Sequence, residues 1–161
     1  MTVEEYNQSV DQFSDGLYRF LLNNIKDAEK ARDIIQDTYE KLWRKVETVS
    51  GEKVKSYLFT TAYHTMIDLL RKEKWSTDFN TVNRDSYYHT DQYSDLNEIL
   101  HEAIERLPGD QRSVIMLRDY EGYSYQEIAE ITGLTESQVK VYIYRGRLFL
   151  KNYIGKIESV I

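Results

Sequence analysis

Apolar residues recur three and four positions apart along most of the chain, the spacing of helices with one buried face. Residues 2–23 carry Tyr6, Val10, Phe13, Leu17, Phe20 and Leu21 in this register. Thr2, three residues before Glu5, predicts a capping box at their start. Ser14–Gly16 predicts a break or bend midway. Residues 27–46 predict the strongest helix, with Asp27 as its cap. Its expected buried stripe is Ala31, Ile34, Ile35, Leu42, Trp43 and Val46, with Tyr39 beside it. A short loop, 47–53, precedes a helix over 54–74, in which Val54, Tyr57, Leu58, Ala62, Met66, Leu69 and Leu70 align and Phe59, Tyr63 and Ile67 widen the face.

Residues 75–94 lose this pattern: Val82 is their only aliphatic residue. They read as a linker that cannot bury a core, although Trp75, Phe79, Tyr87, Tyr88 and Tyr93 are more aromatic than a spacer needs. Four helices follow, over 95–107, 110–121, 124–131 and 135–153. Asp95 and Glu98, Ser124 and Glu127, and Thr135 and Gln138 have capping-box spacing. Pro108-Gly109 and Gly122 end helices, and Gly133 supplies the turn of a helix-turn-helix, whose second helix generally enters the major groove. The expected fold is all-α: two small helical domains, 1–74 and 95–161, joined by a polar linker, the second a four-helix unit.

The last helix has two faces. Val139, Ile143, Gly146 and Leu150 lie on one side, flanked by Tyr142 and Phe149. Ser137, Lys140, Tyr144, Arg147 and Lys151 lie on the other, with Arg145 at its edge. Lys140 to Lys156 holds five basic residues and no acidic one, in a chain of net charge −6. That local reversal suits phosphate neutralisation and base-edge contacts. The overall acidity predicts weak affinity for DNA without a larger protein partner.

Composition narrows the classes further. Hydrophobic residues make up 41% of 161, enough for a packed core, and a single proline favours helix over a turn-rich β fold. The absence of cysteine excludes disulfides and thiolate metal sites. The opening MTVEEYNQSVDQF lacks a signal pattern, and no apolar run approaches the ~20 residues of a membrane span. A cytoplasmic protein without stable membrane insertion is expected. His64, His89 and His101 are scattered and converge with no carboxylate set, so neither an enzyme nor a cofactor or metal is expected. In the helix 27–46, Asp33, Gln36, Asp37 and Glu40 form a polar stripe. By pattern alone it reads as a solvent face, and otherwise as a docking surface for a basic helix.

The order of these parts resembles the extracytoplasmic-function (ECF) class of bacterial sigma factors. ARDIIQDTYEKLW is similar to the family's region 2 signature, and VKSYLFTTAYHTMIDLLRKEK to its promoter-melting helix. ERLPGDQRSVIMLRDYEGYSYQEIAEITGLTESQVKVYIYRGR is similar to region 4. The resemblance implies binding to core RNA polymerase (β′ clamp and β flap), with Asp33, Gln36, Asp37 and Glu40 gripping the clamp. It implies capture of unpaired −10 bases by the loop and the following helix, through Ser50, Gly51, Lys53, Lys55, Tyr57, His64 and Arg71. It implies −35 recognition by Ser137, Lys140, Val141, Tyr144, Arg145 and Arg147. An anti-sigma factor, often membrane-bound in the family, is an implied partner. His64 stands where many relatives carry asparagine, and Val141 and Tyr142 where serine and arginine are common, which implies more apolar or shape readout. The competing expectation is a two-domain helix-turn-helix regulator that never joins polymerase.

Overall fold

The computed structural model describes residues 1–77 and 95–160, with side chains over 1–73 and 98–155. Every element among them is helical, and the described residues form two compact units, the first holding the helices up to Thr77 and grouping Glu130–Gly133 with them, the second holding the remainder from Asp95 on. The proposed linker lies outside the described residues, except that its first three positions continue a helix. The Asp95–Glu98 cap likewise rests on a side chain outside them.

The first unit is α1 (Val3–Ile25), α2 (Ala28–Arg44) and α3 (Val54–Thr77). Thr2 and Glu5 close the capping box. Lys26, at φ 63°, ends α1 in the left-handed region with its N–H on the Leu22 carbonyl. Asp27 then caps α2 by accepting from the N–H groups of Glu29 and Lys30. Two helices are thereby reversed in two residues. Leu17, Phe20, Leu21, Ala31, Leu42, Leu58, Phe59 and Met66 are fully or almost fully buried and make the core. Phe20 meets Phe59 edge to face at 5.8 Å.

Three details differ from the sequence expectation. α1 runs unbroken through Ser14–Gly16. A helical glycine costs about 1 kcal/mol, and packing of α1 against both α2 and α3 outweighs it. Trp43 is not in the buried stripe but 47% exposed, while Tyr39 is buried. The Tyr39 hydroxyl donates to the Ser9 carbonyl at 2.9 Å and accepts from the Ser14 hydroxyl at 3.2 Å. α1 therefore satisfies a buried phenol, and Trp43, one turn on, is left at the rim with its edge against Tyr6 at 5.0 Å. Finally, α3 ends at Thr77, beyond Lys74.

The second unit is α4 (Asp95–Glu105), α5 (Gly109–Ile115), a π-helical turn (Met116–Tyr120), α6 (Tyr125–Thr132) and α7 (Glu136–Val160). The predicted helix over 110–121 thus closes in a wide turn, where the Glu121 N–H reaches the Met116 carbonyl. Arg112 holds the end of α4. Its guanidinium donates to the carbonyls of Ile104 (3.3 Å), Glu105 (3.1 Å) and Leu107 (2.7 Å). Burial pushes the Arg112 pKa down, and Glu105 opposes that shift. α5 and α7 pack closely at Gly146, where a β-carbon would collide with the side chain of Ile115.

Candidate nucleic-acid and partner interfaces

In the second unit, α6 and α7 are set by two reciprocal caps. The Glu127 N–H donates to the Ser124 hydroxyl at 3.1 Å, while the Ser124 N–H donates to the Glu127 carboxylate at 3.0 Å. Thr135 and Gln138 repeat the arrangement at 3.1 and 2.9 Å. Gly133, at φ 79°, makes the turn between the helices in a conformation that a side chain disfavours. Val139, Ile143 and Gly146 are buried. Ser137, Lys140, Tyr144, Arg145 and Arg147 are exposed, as the periodicity predicts, and Val141 is exposed beside them.

The cations on that face are differently engaged. Arg147 makes two hydrogen bonds to the Asp119 carboxylate, the shorter at 2.6 Å, and this pairing raises its pKa. Lys140 is 3.9 Å from Glu136 and 5.9 Å from the centre of the Tyr125 ring. Arg118 lies 4.8 Å from the same ring and donates to the Tyr123 carbonyl. Tyr125 therefore gathers two cations beside the recognition helix. The helical pattern of the sequence marks out neither Arg118 nor Tyr125. Helical periodicity cannot show a pairing between residues on different helices.

In the first unit, Asp33, Gln36 and Glu40 are exposed along α2 and Asp37 is half-buried. Lys41 meets Asp37 at 3.0 Å and Arg44 meets Glu40 at 2.7 Å. The stripe is therefore partly neutralised by its own helix, and such exposed pairs contribute only ~0.3–0.5 kcal/mol. An open groove beside it is lined by Lys30, Asp33, Ile34, Asp37, Thr65 and Leu69. Lys30 also forms an ion pair with Glu73.

Ser50, Gly51 and Lys53 are exposed on a short 3₁₀ turn (Gly51–Lys53) leading into α3. His64 and Arg71 are exposed on α3, while Lys55 and Tyr57 are half-buried. Phe59 and Tyr63 are buried in the core, whereas Tyr57 is half-buried. His64 rests edge to face on Tyr63 at 5.5 Å. Among the described residues, no group of three or more His, Asp or Glu side chains is placed to hold a metal ion, and no helix is long and apolar enough to cross a membrane.

The family model for sigma-70 region 2 matches residues 10–76, and that for sigma-70 region 4 matches residues 97–150. The sigma factor SigV of Bacillus subtilis is 35% identical over 86% of this chain and 84% of its own length. The ECF sigma factor SigX of the same organism is 30% identical over 97% of this chain and 87% of its own. Among solved structures, the sigma factor RpoE in complex with the anti-sigma factor NepR from Bartonella quintana superposes with a TM-score of 0.81. That match is 28% identical and covers 95% of this chain and 98% of that one.

A region 2 module followed by a region 4 module defines an RNA polymerase sigma factor. The chain belongs to the ECF class of that family. These matches do not favour a regulator that acts without polymerase.

Proposed function

We propose that the two units divide the work of initiation, the first meeting polymerase and the −10 strand, the second reading the −35 duplex. The observation that carries this is the exposed face of α7, held by the Thr135 cap and basic within an acidic chain. A duplex attracts that face through its phosphates. Net charge −6 makes the chain a poor free DNA binder, so affinity comes from the assembled polymerase. Asp33, Gln36, Asp37 and Glu40 meet a basic helix of the β′ clamp, and the second unit meets the β flap. Lys53, Lys55 and Arg71 steer the displaced strand, while Ser50, Gly51, Tyr57 and His64 contact an unstacked base. Flipping that base costs a few kcal/mol, which stacking and edge contacts offset. On this reading residues 1–74 and 95–161 are the functional domains and 75–94 spans between them.

The chain acts by binding rather than catalysis, and works in the cytoplasm beside polymerase. An anti-sigma factor is its natural inhibitor, a reading supported by the similarity to a sigma factor solved with one. The test is a Lys140→Ala/Arg145→Ala double variant assembled with core polymerase. Co-elution with the core enzyme should survive, while initiation at a promoter that requires its −35 element should fall at least ~10-fold, because two cations that neutralise duplex phosphates are lost. Full initiation by the double variant would refute the placement of the −35 reader on α7.

A further inference from the structure

The exposed face of α7 is not uniformly polar. Val141 is 42% exposed, Tyr144 69% and Leu148 46%. With Ser137 they fall at i, i+4, i+7 and i+11, a single line along the helix. Cations flank this line on both sides: Arg145 on one, and Lys140, Arg147 and Lys151 on the other. The core contacts of the helix are made by Val139, Ile143 and Gly146, which are buried, so the line is not needed to hold the fold.

An apolar strip between two basic margins matches the cross-section of a major groove. Phosphates bound the groove on each side, and along its floor the one apolar group presented by base edges is the 5-methyl of thymine. A recognition helix contacts bases through its N-terminal part. Val141 and Tyr144 lie there, in the first turns of α7, whereas Leu148 lies a turn further on.

We infer that Val141 and Tyr144 form a thymine-methyl reader, so that the −35 element of this protein is specified by A·T pairs whose methyl groups pack on these two side chains. This rests on the placement of the −35 reader on α7. Lys140 and Arg145 supply affinity at the margins, and the strip supplies discrimination. Burying one methyl against an apolar surface corresponds to about threefold to fivefold in affinity, by the increment for one buried carbon.

The test uses the full chain with core polymerase. The preferred −35 element is first selected from a randomised promoter pool. Each thymine in it is then replaced by deoxyuridine, which removes only the methyl group. At one or two positions affinity should fall about threefold to fivefold, and Val141→Ala or Tyr144→Ala should abolish that sensitivity. Tyr144→Phe should retain it, because the ring and not the hydroxyl makes the contact. Deoxyuridine that changes nothing, while Lys140→Ala/Arg145→Ala still weakens binding, overturns the methyl reader and leaves the −35 placement standing. Indifference to both overturns the placement as well. A selected element with only G·C pairs, or a methyl effect undiminished in both alanine variants, also overturns the inference.

Discussion

At the scale of single residues, Arg112 and Arg147 show how differently two arginines of one unit act. Arg147 meets Asp119 on the surface, where an ion pair contributes under ~1 kcal/mol. Arg112 is more deeply placed and ties three carbonyls at the end of α4. Its removal takes one donor from each of three carbonyls in a confined site, of which Ile104 still accepts from the Leu107 N–H. Arg112→Ala should cost about 3 kcal/mol of stability, measured by urea unfolding followed by circular dichroism. Arg112→Lys should recover little, since an ammonium cannot span three acceptors in a planar fork. A loss below ~1 kcal/mol would mean that water replaces the guanidinium. The sequence displayed Arg112 only as part of a motif. Its partners lie five to eight positions back across a helix boundary, where no periodicity rule reaches.

At the scale of elements, caps and stripes were legible because they are local. Thr2–Glu5, Asp27, Ser124–Glu127 and Thr135–Gln138 all form the bonds that their spacing predicts. The two faces of α7 follow from 3.6 residues per turn alone. The contact between α5 and α7 was not legible as a contact. Gly146 sits on the predicted inner face, but only the structure shows Ile115 closing over it. Alanine is the better helix former by about 1 kcal/mol, yet its methyl must displace a side chain that is only 2% exposed. Overpacking of this kind costs ~1–3 kcal/mol, so Gly146→Ala should be destabilising by about 1 kcal/mol net. Ile115→Val removes the colliding methyl, and the double variant should be more stable than the sum of the single effects. Thermal unfolding of the four proteins closes that cycle, and additivity would show that Ile115 simply rotates away.

At the scale of the whole molecule, charge and burial set the remaining expectations. Asp37→Arg reverses a charge in the α2 stripe and should weaken binding to core polymerase about tenfold, the equivalent of 1.4 kcal/mol. Unchanged affinity would remove the stripe from the docking surface. Each unit also buries a phenol. Desolvation raises the pKa of Tyr39 in the first and of Tyr123 in the second above the ordinary value of 10.0. The native state then keeps these protons at a pH where the unfolded chain has lost them, so stability falls as pH rises. The contribution is fully present below pH ~10 and is lost above it. Urea midpoints should be insensitive to these groups between pH 7 and 9 and decline beyond pH ~10. Tyr39→Phe and Tyr123→Phe should each flatten that decline.

The sequence by itself determined the helical class, the order of the helices, most of their caps, and which residues share a face. These are consequences of bonds and spacings within four residues. It also carried the family, because two signatures in series are far more specific than any one helix. Only the tertiary structure decided that α1 passes straight through Gly16, and that Tyr39 rather than Trp43 enters the core. It alone decided that Arg112 closes α4, and that Arg147 is already held by Asp119. Each depends on which partner another helix brings within hydrogen-bonding or packing distance, and that is fixed by how the helices cross rather than by the period of any one of them.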